Sequence, residues 1–196
     1  VADGVENDEF VGYAQVNNIG CIRGDEEDVL ERLIYCGDFD DATDIFRLTS
    51  ESPFTYFDLI DEAWAQHVND KNDATFLDDI IDGCGFEILS LDALKRSHNE
   101  GEDRHRSELC TLYIRENKSQ FKLGYIESPE KLVRKDIRLT VDYPEDLIVC
   151  RAVYEKFKDY APKIPLLDVV DFLDENTQLL KHTSPFCEKG YSTMYL

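Results

Sequence analysis

Apolar positions along this chain switch repeatedly between a period of two and a period near 3.6, the spacings of strands and of amphipathic helices. Val1-Ala2-Asp3 reads as the tail of a strand, Val5 to Val16 as a short helix, and Ile19 to Ile22 as a short strand closed by Arg23-Gly24. Asp25 stands where a cap belongs, ahead of a helix from Glu26 to Tyr35 with Leu30, Leu33 and Ile34 inward and Gly37 ending it. Ala42 to Thr49 is the next strand, and Ser50-Glu51-Ser52-Pro53 a turn. A helix from Phe57 to Val68 follows, with Leu59, Ile60, Ala63, Trp64 and His67 at helical spacing. A histidine on such a stripe reads as a partly buried helical residue rather than a ligand.

Two further short strands, Asp73 to Leu77 and Phe86 to Leu89, flank an acidic, glycine-containing loop from Asp78 to Gly85. Ser90 caps a helix from Leu91 to about His98, and a charged loop runs from Asn99 to Arg104. Ser107 to Asn117 reads as a helix and Phe121 to Ile126 as a strand, before a polar loop from Glu127 to Lys135. Ile137 to Val141 alternates like a strand, turns at Asp142-Tyr143-Pro144, and leads into a helix with Val149, Val153 and Phe157 on one stripe. Another helix spans Leu166 to Glu175, and the tail from Lys181 has no clear period. Strands alternating with helices predict an α/β class: a three-layer sandwich with a largely parallel mixed sheet, formed as a single domain over residues 1–196.

Charge narrows the partners. The chain carries 42 acidic and 21 basic side chains, for a net charge of −21. That balance argues against binding nucleic acid through its backbone, which needs basic stripes. An anionic ligand would have to be held locally, by a few Arg or Lys, by backbone amides or by a cation. No apolar run approaches a membrane span and the first residues lack a secretory pattern, so the expectation is a cytoplasmic protein without a membrane partner. Six cysteines occur without a C-x-x-C pair, which argues against a zinc ribbon; Cys36, Cys110 and Cys150, in apolar helical or near-helical contexts, read as reduced core cysteine, and the four histidines show no metal spacing.

The stretch from Ile137 to Phe157 carries the most chemistry. A strand ending in an acidic turn that opens a helix is where α/β enzymes often hold a metal-bound phosphate. Asp142 would then stand at the end of its strand as a magnesium ligand, since magnesium prefers oxygen donors and takes one or two protein carboxylates. Equally, Asp142, Glu145 and Asp146 could be carboxylates at the positive end of a helix, with Pro144 in the first turn. Arg23 and Arg47 stand beside acidic or polar turns. Each could grip a phosphate or carboxylate with its planar fork, or pair with a neighbouring acid.

Four segments, taken in order, resemble the cytidylyltransferase family of the spore coat polysaccharide type, related to enzymes that make CMP-activated acidic sugars. Cys21 to Arg32 (CIRGDEEDVLER) is similar to its R-G-x-E-x-D-V-L-x-R segment, and Phe46 to Phe54 (FRLTSESPF) to its R-x-T-x-D-x-P turn. Gly85 to Leu94 (GFEILSLDAL) resembles D-V-E-V-F-S-x-x-A-L, and Arg138 to Leu147 (RLTVDYPEDL) resembles R-x-T-V-D-x-P-E-D-L. The helix Glu108 to Tyr113 is similar to the family's E-H-V-T-x-Y-I helix.

The resemblance implies a nucleotide-diphospho-sugar transferase fold. It implies transfer of CMP from CTP to an acidic sugar or related acid, with loss of pyrophosphate and magnesium as cofactor. It makes Asp142 and Glu51 metal ligands, Arg23, Arg47 and Glu87 nucleotide or substrate contacts, and a homodimer the expected assembly. The chain departs from the pattern at Glu51 (aspartate in the family), Gly85 (aspartate) and Leu109 (histidine, with His105 four residues earlier). The family's opening strand and its Gly-, Ser- and Arg-containing triphosphate loop have no counterpart in residues 1–30. The expectation is therefore either the C-terminal part of a longer enzyme or, as the alternative function, a non-catalytic binding or assembly module that keeps the fold. A glycosyltransferase ranks below both, because the one D-x-D, Asp38-Phe39-Asp40, falls in a predicted loop.

Overall fold

The computed structural model describes residues 1–194, with side chains through residue 188. Four short strands form one open sheet in the order β1-β3-β2-β4: β1 Asp44–Arg47, β2 Ala74–Leu77, β3 Phe86–Ser90 and β4 Leu123–Tyr125. The hydrogen bonds fix the directions. Leu91 N–H reaches Thr43 C=O and Ser90 N–H reaches Asp73 C=O, so β3 runs against both neighbours. Ala74 N–H bonds to Lys122 C=O and Ile126 N–H to Phe76 C=O, so β2 and β4 run together. The sheet is thus mixed, with β1, β2 and β4 sharing a direction and β3 reversed. All of β2 is buried, as expected for a strand paired on both sides. This is the α/β class that the alternating pattern predicts.

The chain clusters into two compact units. One comprises Val1–Ile45, Asn72–Ala74 and Leu89–Lys122; the other comprises Phe46–Lys71, Thr75–Ile88 and the chain from Leu123 onward.

In the first unit, α1 (Asp8–Val16) is followed by α2 (Val29–Phe39), which packs on α4 (Leu91–Glu100) around Leu30, Ile34, Leu91 and Leu94. The α2 cap is three residues later than the pattern suggested. Asp25 accepts from Glu27 N–H and Asp28 N–H in a tight turn, and Asp28 is the residue that caps the helix through Glu31 N–H at 2.8 Å. Gly37 lies inside α2 rather than ending it. A Cβ there would come within 2.7 Å of the end of the Leu91 side chain, so glycine lets α2 pack here without that side chain shifting. Ile19 to Ile22 is not a strand. The isolated bridge nearby joins Ala2 to Gly24, beyond the segment, the Ile22 carbonyl accepts from the Val1 amine at 2.8 Å, and Ile19 is exposed. The predicted helix from Ser107 shortens to α5 (Leu112–Glu116), while Ser90 caps α4 as expected, through Ala93 N–H.

In the second unit, α3 (Ile60–Asp70), α6 (Pro144–Phe157), α7 (Leu166–Glu175) and α8 (Thr177–Met194) surround a core that includes Ile80, Ile88, Ile137, Leu139, Val149, Val153, Val169 and Leu173. The helix α8 occupies the tail that showed no period. Pro185 and the mixed polarity of the segment hide its helicity from a periodicity reading. His67 is buried and hydrogen-bonded to Thr75 Oγ1 at 2.9 Å, in keeping with a structural histidine.

Ile137 to Val141 is extended but is not a sheet strand. Its N–H groups go to two loops instead: Leu139 to Asp82 C=O and Val141 to Glu51 C=O. Its alternation is real on one face only, because Arg138 and Thr140 are as buried as Ile137 and Leu139.

Candidate functional site

Arg138 is the centre of the second unit's polar architecture. Its guanidinium is 3% exposed and meets three carboxylates. Nη1 donates to Asp82 Oδ2 at 2.6 Å, Nε donates to Asp146 Oδ1 at 3.0 Å, and Nη2 donates to Asp142 Oδ2. A fork of five donors in one plane is what lets a single side chain serve three acceptors. Burial works to strip the charge from Arg138. Asp146, Asp82 and Asp142 more than offset it and hold the group protonated, above its ordinary value.

Each carboxylate is placed by a different local device. Asp146 is fully buried in the first turn of α6. Besides Arg138, it accepts from Asp142 N–H and Tyr143 N–H, both at 3.0 Å, and so ties the turn to the helix start. Asp142 is half exposed, and its second oxygen takes no partner among the described residues. Asp82 sits before Gly83, whose φ of +86° turns the loop beneath residues 139 and 140. A Cβ on Gly83 would lie 2.6 Å from the Thr140 nitrogen. Burial pushes the Asp82 carboxyl up, against the pull of Arg138. Its Oδ1 is buried without a hydrogen-bond partner.

The candidate residues fall into three groups. Glu51 and Asp142 are linked through the backbone: the Glu51 carbonyl accepts from Val141 N–H at 2.9 Å and from the Thr140 hydroxyl at 3.3 Å, which sets the 50–53 turn against the residue preceding Asp142. Arg47 and Glu87 form a largely buried ion pair at 2.8 Å, and their strand neighbours Phe46 and Phe86 bring their rings together 5.0 Å apart. Arg23 lies in the first unit, where it pairs with Asp8 and donates to the Gly4 carbonyl at 2.8 Å.

Sequence reasoning passed over Arg138, Asp82 and Asp146 as partners of Asp142. The signal was present for two of them. Arg138 and Asp146 sit four residues either side of Asp142, inside the segment already singled out. Asp82 is far away in sequence and gave none.

Among the described residues, no three His, Cys, Asp or Glu side chains converge on one metal position. Magnesium does not require three, because it keeps several waters and completes its shell with phosphate oxygens. A half-exposed Asp142 with one uncommitted oxygen, beside the partly exposed Glu51, fits an ion held in that way. Arg138 subtracts from the negative potential there and so favours weak binding over tight binding.

Next to Glu51 and Val141, a cleft of about 700 Å³ opens between the 50–54 turn, one side of α6 and the segment around Pro162. Its walls are mostly apolar. Cys150, on that wall, is a neutral thiol, its pKa pushed up to about 12 by burial. The cleft therefore holds no nucleophilic thiolate at neutral pH.

No family model matches the chain. It is 30% identical over 186 residues to an uncharacterized protein of Methanocaldococcus jannaschii, covering 95% of this chain and 76% of that one. It is 28% identical over 155 residues to the spore coat polysaccharide biosynthesis protein SpsF of Bacillus subtilis, covering 79% of this chain and 64% of that protein. The fold matches a solved structure of a cytidylyltransferase from Leptospira borgpetersenii with a TM-score of 0.81 at 18% identity, over 91% of this chain and 76% of that one.

Proposed function

Because this chain belongs to the cytidylyltransferase family, of the kind related to the spore coat polysaccharide proteins, we propose that it transfers CMP from CTP to an acidic sugar or related acid in polysaccharide biosynthesis. An acceptor oxygen forms a bond to the α-phosphorus, the bond from that phosphorus to the bridging oxygen of pyrophosphate breaks, and the acceptor's proton is released. The observation that carries this reading is that the turn bearing Glu51 is hydrogen-bonded to Val141, the residue before Asp142, beside an open cleft.

In this reading Asp142 and Glu51 would hold magnesium, which supplies neutralisation of phosphate charge. Arg138 and Asp146 fix the direction of Asp142, so that its free oxygen is presented without reorganisation. Arg47 would meet an anionic group by exchanging Glu87 for it, or would hold Glu87 against a sugar hydroxyl. Arg23 would act only by giving up Asp8. The reaction is tested by pyrophosphate release with CTP, magnesium and a panel of acidic sugars, on the longest available form of the protein. Release is expected, and Asp142→Asn should lower it by about a hundredfold, as loss of a metal ligand does at least as much as loss of its support. An unchanged rate in that variant would remove the metal assignment.

One observation favours a second reading, a non-catalytic binding or assembly module with the same fold. Arg23, Arg47, Glu87 and Asp142 all engage protein partners. Calorimetry with CTP and magnesium separates the two. Binding tighter than about 100 μM supports the enzyme, and its absence supports the module.

A further inference from the structure

The cleft beside Glu51 differs in chemistry from what a bare sugar acid needs. We propose that it binds an anion with a sizeable apolar body, the carboxylate or phosphate meeting Arg151 and the body lying against Phe54, Leu147, Tyr154 and Pro162. That this anion is the acceptor rests on the transfer reaction proposed above; that the cleft binds it does not.

Size is the first argument. A volume of about 700 Å³ is within the range of clefts that enclose a whole small molecule. The second is the lining. Leu147, Cys150, Arg151 and Tyr154 form a stripe on α6, at spacings of three and four residues, distinct from the Val149, Val153 and Phe157 stripe buried in the core. Pro53, Phe54, Pro162 and Ile164 add to the apolar lining. A polyhydroxylated ligand would bring many hydroxyls to a wall that offers few partners: Ser50, Glu51 and the Tyr154 hydroxyl. Each hydroxyl left unpaired there weakens binding. An alkyl, acyl or aromatic body would instead gain from burial there.

The third argument is charge. Acids outnumber bases two to one in this chain. Arg138, Arg134, Arg104, Arg47 and Arg23 all meet carboxylates. Arg151 meets none among the described residues, although it is exposed at the mouth of the cleft. A single uncompensated guanidinium over an apolar wall selects for one negative group on an apolar body. Glu51, at the other side of the cleft, would repel a second.

Isothermal titration of the protein without CTP or metal tests this with three probes. 2-Naphthoate has the apolar body and the charge, 2-naphthamide has the body alone, and galacturonate has the charge on a polyol. The expected order is naphthoate tightest, naphthamide about tenfold weaker, and galacturonate undetected, since a charge-assisted hydrogen bond contributes about that factor. Arg151→Gln should bring naphthoate down to the naphthamide level and leave naphthamide unchanged. Leu147→Trp, which fills the cleft, should weaken both. Urea midpoints within error of the parent show that the variants fold.

Galacturonate binding as tightly as naphthoate, no naphthoate binding, or an Arg151→Gln variant that binds naphthoate normally would each overturn the proposal. Naphthoate binding as described, with no pyrophosphate release from any acid, would reject the transfer reaction and leave the cleft assignment standing. Release whose acceptor KM is unmoved by Arg151→Gln would place the acceptor elsewhere.

Discussion

The surroundings of Arg138 and of Arg151 share one stretch of chain and treat a guanidinium in opposite ways. Arg138 is buried and over-supplied with carboxylates, one of which spans from a distant loop. Arg151, on the helix that follows, is exposed, lines an apolar cleft and meets no carboxylate among the described residues. A saturated charge holds structure: it locks the 82–83 loop, the extended 137–141 segment and the start of α6 into one arrangement. An unsaturated charge beside an apolar wall is available to a ligand. Burial and partner count, more than residue type, separate the two roles.

The comparison breaks most directly at Arg138. Replacing it with Met leaves Asp82 and Asp146 as buried carboxylates with no counter-charge, and the expected loss of stability is about 3–5 kcal/mol by urea unfolding at pH 7. Arg151→Gln, in the same measurement, should change stability by no more than about 0.5 kcal/mol. Similar losses in both variants would mean that the two arginines do not divide into structural and ligand-facing roles.

Next in size is Gly83→Ala. The residue has a positive φ, and the added methyl would press on the Leu139–Thr140 backbone. Left-handed strain of about 1–2 kcal/mol adds to overpacking of about 1–3 kcal/mol, so a loss of at least about 2 kcal/mol is expected in urea melts. A near-neutral result would show that the loop carrying Asp82 can shift without cost, and that Arg138 does not pin it.

Much of this architecture is legible from local pattern. The α7 bounds follow from an apolar stripe after Pro165. The Ser90 cap and the Pro144 helix start follow from residues that have few other uses. What pattern misses is non-local. Ile137 to Val141 alternates like a strand, yet it is held by loops around Glu51 and Asp82 and hides a charged residue on its second buried face. Arg138 reads as a solvent-facing residue of that strand until Asp82 and Asp146 are seen around it. Likewise, Asp142 follows from its place before a helix, while the pairing of Arg47 with Glu87 requires knowing that β1 and β3 are antiparallel neighbours. Arg151 gave no signal in sequence, because what distinguishes it is the lack of a partner.

A smaller effect, with a sign, sharpens the electrostatics of Arg138. Burial raises the Asp82 carboxyl above its ordinary value of 3.8, so the folded state holds that proton more tightly than the unfolded chain. The contribution of Asp82 to stability is then greatest below pH 3.8, falls as pH rises through the interval up to its folded value, and is level above it. Asp82→Asn has no such titration and keeps an oxygen acceptor for Arg138. Urea unfolding of both proteins from pH 3.5 to 7 should show the parent losing ground to Asp82→Asn as pH rises. The opposite slope would mean that the attraction of Arg138 outweighs burial at this carboxylate.

The smallest change in stability is expected at Asp142. Its carboxylate is half exposed, and Arg138 retains Asp82 and Asp146 when it is neutralised. Asp142→Asn should therefore cost no more than about 1 kcal/mol in the urea measurement, in the range of exposed ion pairs. That modest figure gives the variant its use. A fall of about a hundredfold in pyrophosphate release, with stability nearly intact, would identify Asp142 as a residue of the reaction. A loss of several kcal/mol would instead make it a third structural support of Arg138. Of the three carboxylates on that guanidinium, Asp142 is the exposed one with an oxygen to spare, that of Asp82 being buried, and this substitution decides whether the exposed oxygen has a ligand.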